Sequence, residues 1–475
     1  MRMPSPWVIL AVALLMPRPA RADAVDELPP GTWLELPDTP MRAACPPNSA
    51  DYDWNFYCQG VTAAWGGAAI DTTRGHLLVW GGGHNDYRGN EVYRFDLATL
   101  AWSRPWGPSA DDQIPMGGTH EVYDDGAPGS RHTYAGLTYV PAPHDALFAM
   151  GGSLWQSGSF AVGTWRFDLA ANAWTRGTDG PAEQGFGDPC VYDPTTGHVF
   201  RRANSRMLEY DPAADVFLDR ANSDGGFWAS NVTTALDPDA RLMVMIGGGR
   251  VDTYDLANDV YTQDVAITGA DVTSLFGDGS PGMDFDPVTQ RFVVWGGGLD
   301  VYSFDPVTAS FSLHAGAGDD PGAIVGSGGA FTRFRYAPSR NVFVWVDHVD
   351  ANVFVFRMGE GMGEPPPGGT SSGGDDTSAG EGSSGADGTA SGQGASASAS
   401  GDTAGGSSGA TTTSGADTSV GDPAGSDADA SGGGCSCRTH ADPRALPWLA
   451  CALPWLRRRR RPRGVSSWAC ATDEA

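Results

Sequence analysis

The chain contains no lysine: every one of its 30 basic residues is arginine. Schiff-base chemistry and a P-loop lysine are therefore excluded. Basic charge is scarce in any form, with 57 acidic residues and a formal net charge of −27, and the one dense basic run is Arg457–Arg461. That balance argues against a nucleic-acid partner and suits solubility or weak cation binding. Long hydrophobic runs are also missing: Trp7–Met16 and residues 445–456 are each shorter than the roughly 20 residues a membrane-spanning helix needs. The repeated part of the chain has no Gly-x-Ser-x-Gly elbow for a nucleophilic serine.

What is present is repetition. Five copies of one module lie between Ala69 and Phe311. Each opens on an apolar strand and an Asp- or Pro-led turn, as in AIDTTRGHLLVWGGG and DFDPVTQRFVVWGGG. Each continues with an aromatic, an Asp, a turn and a second aromatic, as in YRFDLATLAW and YSFDPVTASF. A degraded sixth copy, RYAPSRNVFVWVD then NVFVFRM, closes the series. Four short strands per copy at a period of roughly 50 residues predict an all-β fold of propeller blades. The last copy lacks a fourth strand after Met358, and GTWLELP (Gly31–Pro37) precedes the first. Pairing the two would close the ring and remove its exposed edges. Six blades over a domain at 23–360 are expected, or seven if the insert at 103–131 hides strands.

The ends read differently. Residues 1–22 combine Arg2, the apolar run and Ala20-Arg21-Ala22, the pattern of a secretory signal peptide, so the exported protein is expected to begin near Asp23. Export makes a Cys45–Cys58 disulfide the leading reading of those two cysteines, while Cys190 reads as core. Residues 361–434 are Gly, Ser, Ala, Thr and Asp with almost nothing apolar, a disordered linker that cannot bury a core. At 435–475 come Cys435-Ser436-Cys437, an apolar stretch and the arginine cluster. This order resembles the C-terminal sorting signal of myxobacterial surface proteins. The resemblance implies that Cys435 or Cys437 is the processing or attachment point and that the body is displayed on the cell surface or outer membrane.

The repeats resemble the kelch motif, in which glycines follow one strand and a spaced aromatic pair follows. Gly81–Gly83, Gly151–Gly152, Gly247–Gly249 and Gly296–Gly298 supply the glycines; Tyr93 with Trp102 and Trp165 with Trp174 supply the best aromatic pairs. The resemblance implies a six-bladed kelch-type propeller, a fold that serves both binding proteins and galactose oxidase. The oxidase's copper site does not carry over. The chain has no Tyr-His dipeptide, has Cys190 alone outside the expected disulfide within the propeller, and ends in a linker where the oxidase has a further β domain.

Candidate site residues come from propeller geometry. Loops between second and third strands share a face with the segments leading into innermost strands. His84, Asn85, Asp86, Tyr87, Asn90 and Glu91 fill that loop in the first blade, and Arg131, His132 and Tyr134 lead into the second. The insert adds His120, and Trp65, Phe186, Phe227 and Trp228 approach the same face. Four readings stay open. His84, Asp86, His120 and His132 could hold a divalent transition metal, although no other cofactor is expected. A neutral histidine could act as general base in an extracellular enzyme. The loop could instead bind a glycan or a partner protein, or its polar groups could merely pin it. A monomeric propeller without nucleic-acid partner, reaching the membrane or outer surface through its tail, is expected. The Asp-led turns, such as Asp71–Gly75 and Asp193–Gly197, fall on the opposite face as turn formers.

Overall fold

The computed structural model describes residues 21–181, 187–222, 231–276, 280–326 and 328–363. Six four-stranded antiparallel units form a six-bladed β-propeller. In blade 1 the strands run Gly67–Asp71, His76–Trp80, Val92–Asp96 and Ala101–Trp106. The innermost strands of blades 2 to 6 are Leu137–Val140, Cys190–Asp193, Val232–Asp237, Gly282–Asp286 and Phe334–Ala337. Each neighbours the innermost strand of the next blade, and that of blade 6 neighbours that of blade 1, so the ring closes. Closure is made by Thr32–Leu36, which pairs antiparallel with Val353–Arg357 as the outer strand of blade 6. The insert at 103–131 adds no seventh blade. It begins in the outer strand of blade 1 and ends in Arg131–His132, which pairs with Ser153–Leu154 beside blade 2.

The repeat is explained by packing across neighbouring strands. The aromatic of strand 3 faces that of strand 4 directly: Phe95 opposite Trp102, Phe167 opposite Trp174, Tyr210 opposite Phe217 and Phe304 opposite Phe311. Their ring centroids lie 5.2, 5.2, 4.8 and 4.8 Å apart, a range in which such pairs add about 1 kcal/mol beyond area burial. In blade 1 the partner of Trp102 is thus Phe95, and Tyr93, two residues earlier on the same sheet face, packs in the same core cluster. At the closing blade, Trp33 packs on Phe356 and Trp295 at 4.9 and 5.3 Å, so the N-terminal strand contributes to the seam with blade 5 as well.

Cys45 and Cys58 form a disulfide in the segment before blade 1, which folds as two short helical turns, Trp54–Tyr57 and Gly60–Ala63. A Cβ added at Gly60 would lie 2.7 Å from the Tyr87 Cβ, so this segment packs directly on the blade 1 loop. A helical turn at Arg21–Asp26 docks on blade 6, with the Val25 carbonyl accepting from Arg357 Nη2 at 2.8 Å. The signal segment up to residue 20, the linker from 364 on, Cys435 and Cys437 lie outside the described residues. Among the described residues no helix is long and apolar enough to cross a membrane.

Candidate functional site

The loop after the second strand of blade 1 departs from the sheet at Gly81 and Gly82, whose φ of +121° and +134° side chains other than hydrogen rarely adopt. Its far half is pinned from behind. Tyr87 and Tyr93 both donate to Oε1 of the fully buried Glu91, at 2.6 Å each. Burial pushes the Glu91 carboxyl above its ordinary value, working against these two hydrogen bonds. Asn90 Nδ2 donates to the Pro128 carbonyl and Ser109 Oγ, and Ser130 Oγ donates to the Tyr87 carbonyl. Tyr87, Asn90 and Glu91 are therefore interior residues that hold the loop, and His84, Asn85 and Asp86 form its outward edge.

His132 meets that edge from blade 2. Its Nε2 lies 2.8 Å from Asp86 Oδ2, with the imidazole buried and the Asp86 side chain 45% exposed. The imidazole ring lies 4.8 Å from that of Trp65, tilted by 32°, and meets His84 and Tyr134 edge-on at 5.4 and 5.8 Å. Burial, stronger than the opposing pull of Asp86, holds the His132 pKa below its ordinary value. Burial also works against charge on Asp86, but the hydrogen bond from His132 and the neighbouring imidazoles outweigh it and hold that carboxyl below its usual range. A neutral imidazole donating from Nε2 to an ionised carboxylate follows. Nδ1 is then the lone-pair nitrogen, and it meets no protein donor among the described residues.

The backbone around this group is strained. Trp65, Tyr134 and Phe331 lead into the innermost strands of blades 1, 2 and 6, with φ of 45°, 49° and 48°. Left-handed backbone at bulky residues costs on the order of 1–3 kcal/mol each and marks positions that the surroundings hold in place. The surroundings here are specific. Tyr134 N–H donates to the Trp65 carbonyl at 2.7 Å, and the Tyr134 and Phe331 rings meet at 5.7 Å. Thr133 and Thr332 hydroxyls accept from the Gly67 and Ala68 N–H groups, joining blades 2 and 6 to blade 1. Arg333 is fully buried and donates to the carbonyls of Gly66, Gly329, Val346 and Asp347. Burial lowers its pKa to about 10, which still leaves it charged near neutrality.

The remaining candidates fall elsewhere. Arg131 is buried; it donates to Glu121 at 2.8 Å and to the Gly151 carbonyl, and its guanidinium sits 5.5 Å from the Trp80 ring centre. His120 Nε2 lies 2.5 Å from the Gly117 carbonyl, and its ring makes no contact with His84 or His132 among the described residues. The two are linked only indirectly, since Gln156 bonds to both Gly117 N–H and the His84 carbonyl. Among the described residues no three His, Cys, Asp or Glu side chains converge on one point as a metal ion requires. Phe186, Phe227 and Trp228 lie outside the described residues.

Phe331 and Gln156 are the members sequence reasoning missed. Phe331 had a signal: an aromatic three residues before an innermost strand, as Tyr134 is. Gln156 had none. The arrangement as a whole offers an aromatic ring, an exposed carboxylate and an imidazole lone pair on one rim, an arrangement suited to a polar ligand with a flat apolar face. No protein-family profile and no curated protein sequence matches this chain.

Proposed function

We propose that this chain is an exported, surface-tethered propeller of kelch type whose loop face binds a glycan. The observation that carries this reading is the half-buried Trp65 set against His132, with Asp86 and Asn85 exposed beside it. A sugar ring presents C–H groups on one face and hydroxyls at its edge. An aromatic platform rimmed by a carboxylate and an amide matches both, and a carboxylate already held by an imidazole needs little reordering to accept a hydroxyl. The signal segment, the Gly/Ser-rich stalk and the Cys435/Cys437 tail support export and attachment at the outer surface. A protein partner would use the same rim.

Glycan-array screening of the full chain identifies the sugar, and titration of that sugar against Asp86→Asn and Trp65→Leu tests the site. Each folded variant is expected to lose at least ten-fold in affinity, about 1.4 kcal/mol. Unchanged binding by both would remove the site from this face.

One observation favours a second reading, a hydrolytic enzyme on the same rim. A neutral imidazole oriented by a carboxylate, with a lone pair unclaimed among the described residues, is the arrangement of a general base. Release of product from the identified glycan, lost in His132→Gln with binding kept, would establish it. Binding without product would leave the module a binder.

A further inference from the structure

The propeller also contains a cavity, and it is not at the His84–His132 rim. It occupies the central channel and opens on the opposite face, with a volume of about 310 Å³. Its walls are the innermost strands, apolar at Ala69, Val191, Ala235 and Leu236. Pro141, Pro194 and Pro238, each just past the end of an innermost strand, form part of its rim and have no backbone N–H to donate. Into this tube project one buried cation and, beside it, the carboxylate of Asp284. Arg335, on the innermost strand of blade 6, has a side chain only 9% exposed and lines the cavity.

The partners of Arg335 are unevenly placed. Nη1 reaches the Thr234 carbonyl and Asp284 Oδ1, both at 3.4 Å, long for a charge-assisted hydrogen bond. Nε and Nη2 meet no protein acceptor among the described residues. Asp284 is meanwhile occupied by the N–H groups of Phe285 and Tyr336, at 2.9 Å each. The unfilled Nε–Nη2 side of a guanidinium is the edge that grips a carboxylate with two parallel hydrogen bonds. Neither nitrogen is sealed from the channel, so this edge faces its interior, where solvent or a ligand completes it.

We infer that the central channel is a second binding site, specific for a small monocarboxylate with a compact apolar body, held through the Nε–Nη2 edge of Arg335. The volume admits a molecule the size of benzoate, and the apolar walls exclude highly hydroxylated acids. Cys190 lines the same cavity as a packing group: burial pushes its thiol up to about 12, so it stays protonated near neutral pH. This site stands independently of the glycan reading, since it lies on the other face and shares no residue with it.

The test is calorimetric titration of the full chain with benzoate, against benzamide as its uncharged isostere. Saturable 1:1 binding of benzoate, at least ten-fold tighter than benzamide, is expected. Arg335→Gln and the cavity-filling Ala235→Phe should each weaken benzoate at least ten-fold, and Asp86→Asn should leave it unchanged. Should either channel variant fail to fold, crystals of the unaltered protein soaked in 4-bromobenzoate place the ligand by the anomalous signal of bromine, expected between Arg335 and Ala235. Absence of saturable benzoate binding, equal affinity for benzamide, retention of binding in a folded Ala235→Phe variant, or a bromine position outside the channel would each overturn the inference.

Discussion

The two ends of the propeller use aspartate in opposite ways. On the turn face it is repetitive and consumed. Asp96, Asp168, Asp211, Asp255 and Asp305, each closing a third strand, accept the backbone N–H groups two and three residues ahead with the same oxygen. Asp71 and Asp193, closing first strands, also accept from their turns and pair with arginines: Asp71 takes the Thr73 and Arg74 N–H groups, and Asp193 takes the Thr195 N–H and the Thr196 hydroxyl and reaches Arg241 of blade 4 at 2.6 Å. On the loop face the repeat breaks, and Asp86 accepts from a single side chain, His132 at 2.8 Å, while its own side chain stays 45% exposed. The contrast teaches where to look for function in a repeat protein: where a residue type recurs in register it is satisfied by the fold, and where it occurs once it is available.

That contrast can be broken or sharpened by experiment. The largest effect is expected from opening the disulfide that supports the loop face. Cys45→Ser with Cys58→Ser should cost on the order of 3 kcal/mol, the chain-entropy value for a loop of about 14 residues, read as a urea midpoint shift. Because Gly60 packs on Tyr87, the same variant should weaken glycan binding. An unchanged affinity would show that the loop holds its shape without this support.

Next comes the turn face. Asp193→Ala leaves Arg241 and two turn donors without their acceptor and should cost about 2–3 kcal/mol, with binding on the other face untouched. A loss of glycan affinity in that folded variant would mean that the two ends are coupled through the blades.

The smallest effect is expected at the site itself, and it is a pH effect. His132 titrates in the folded protein below its unfolded value of 6.5, so its contribution is fully present above that pH and is lost as pH falls through the folded value. The Asp86 contribution is likewise present above about 3.8 and lost on further acidification, discounted because the side chain is nearly half exposed. Thermal unfolding should therefore be flat from pH 8 to 7 and decline below 6.5, with a shallower decline in His132→Gln. Identical profiles would show that His132 is not held neutral by burial.

Much of the architecture was legible because a blade is a local object. Strand, Asp turn and facing aromatics all lie within a few tens of residues, and the unpaired GTWLELP segment matched the missing strand of blade 6. The meeting of Asp86 and His132 was legible from blade adjacency alone. Which loop residues face inward was not. Glu91 and Asn90 look like ligands in sequence, yet they are buried, because a short polar segment carries no period from which its inner side can be read. His120 shares the face but not the group, because the turn at Gly117 takes up its ring nitrogen.

The amino-acid order by itself determined the repeat, hence the blade, and the absence of lysine, hence the chemistries that are closed. Only the closed ring decided the rest. Trp65, Tyr134 and Phe331 are far apart in the chain and become one strained cluster because blades 6, 1 and 2 are neighbours in a circle. Arg335 and Asp284 look like misplaced charges in apolar strands until six strands converge on one axis. Periodicity specifies contacts within a blade; contacts between the first blade and the last exist only once the loop-closure entropy of the whole ring has been overcome.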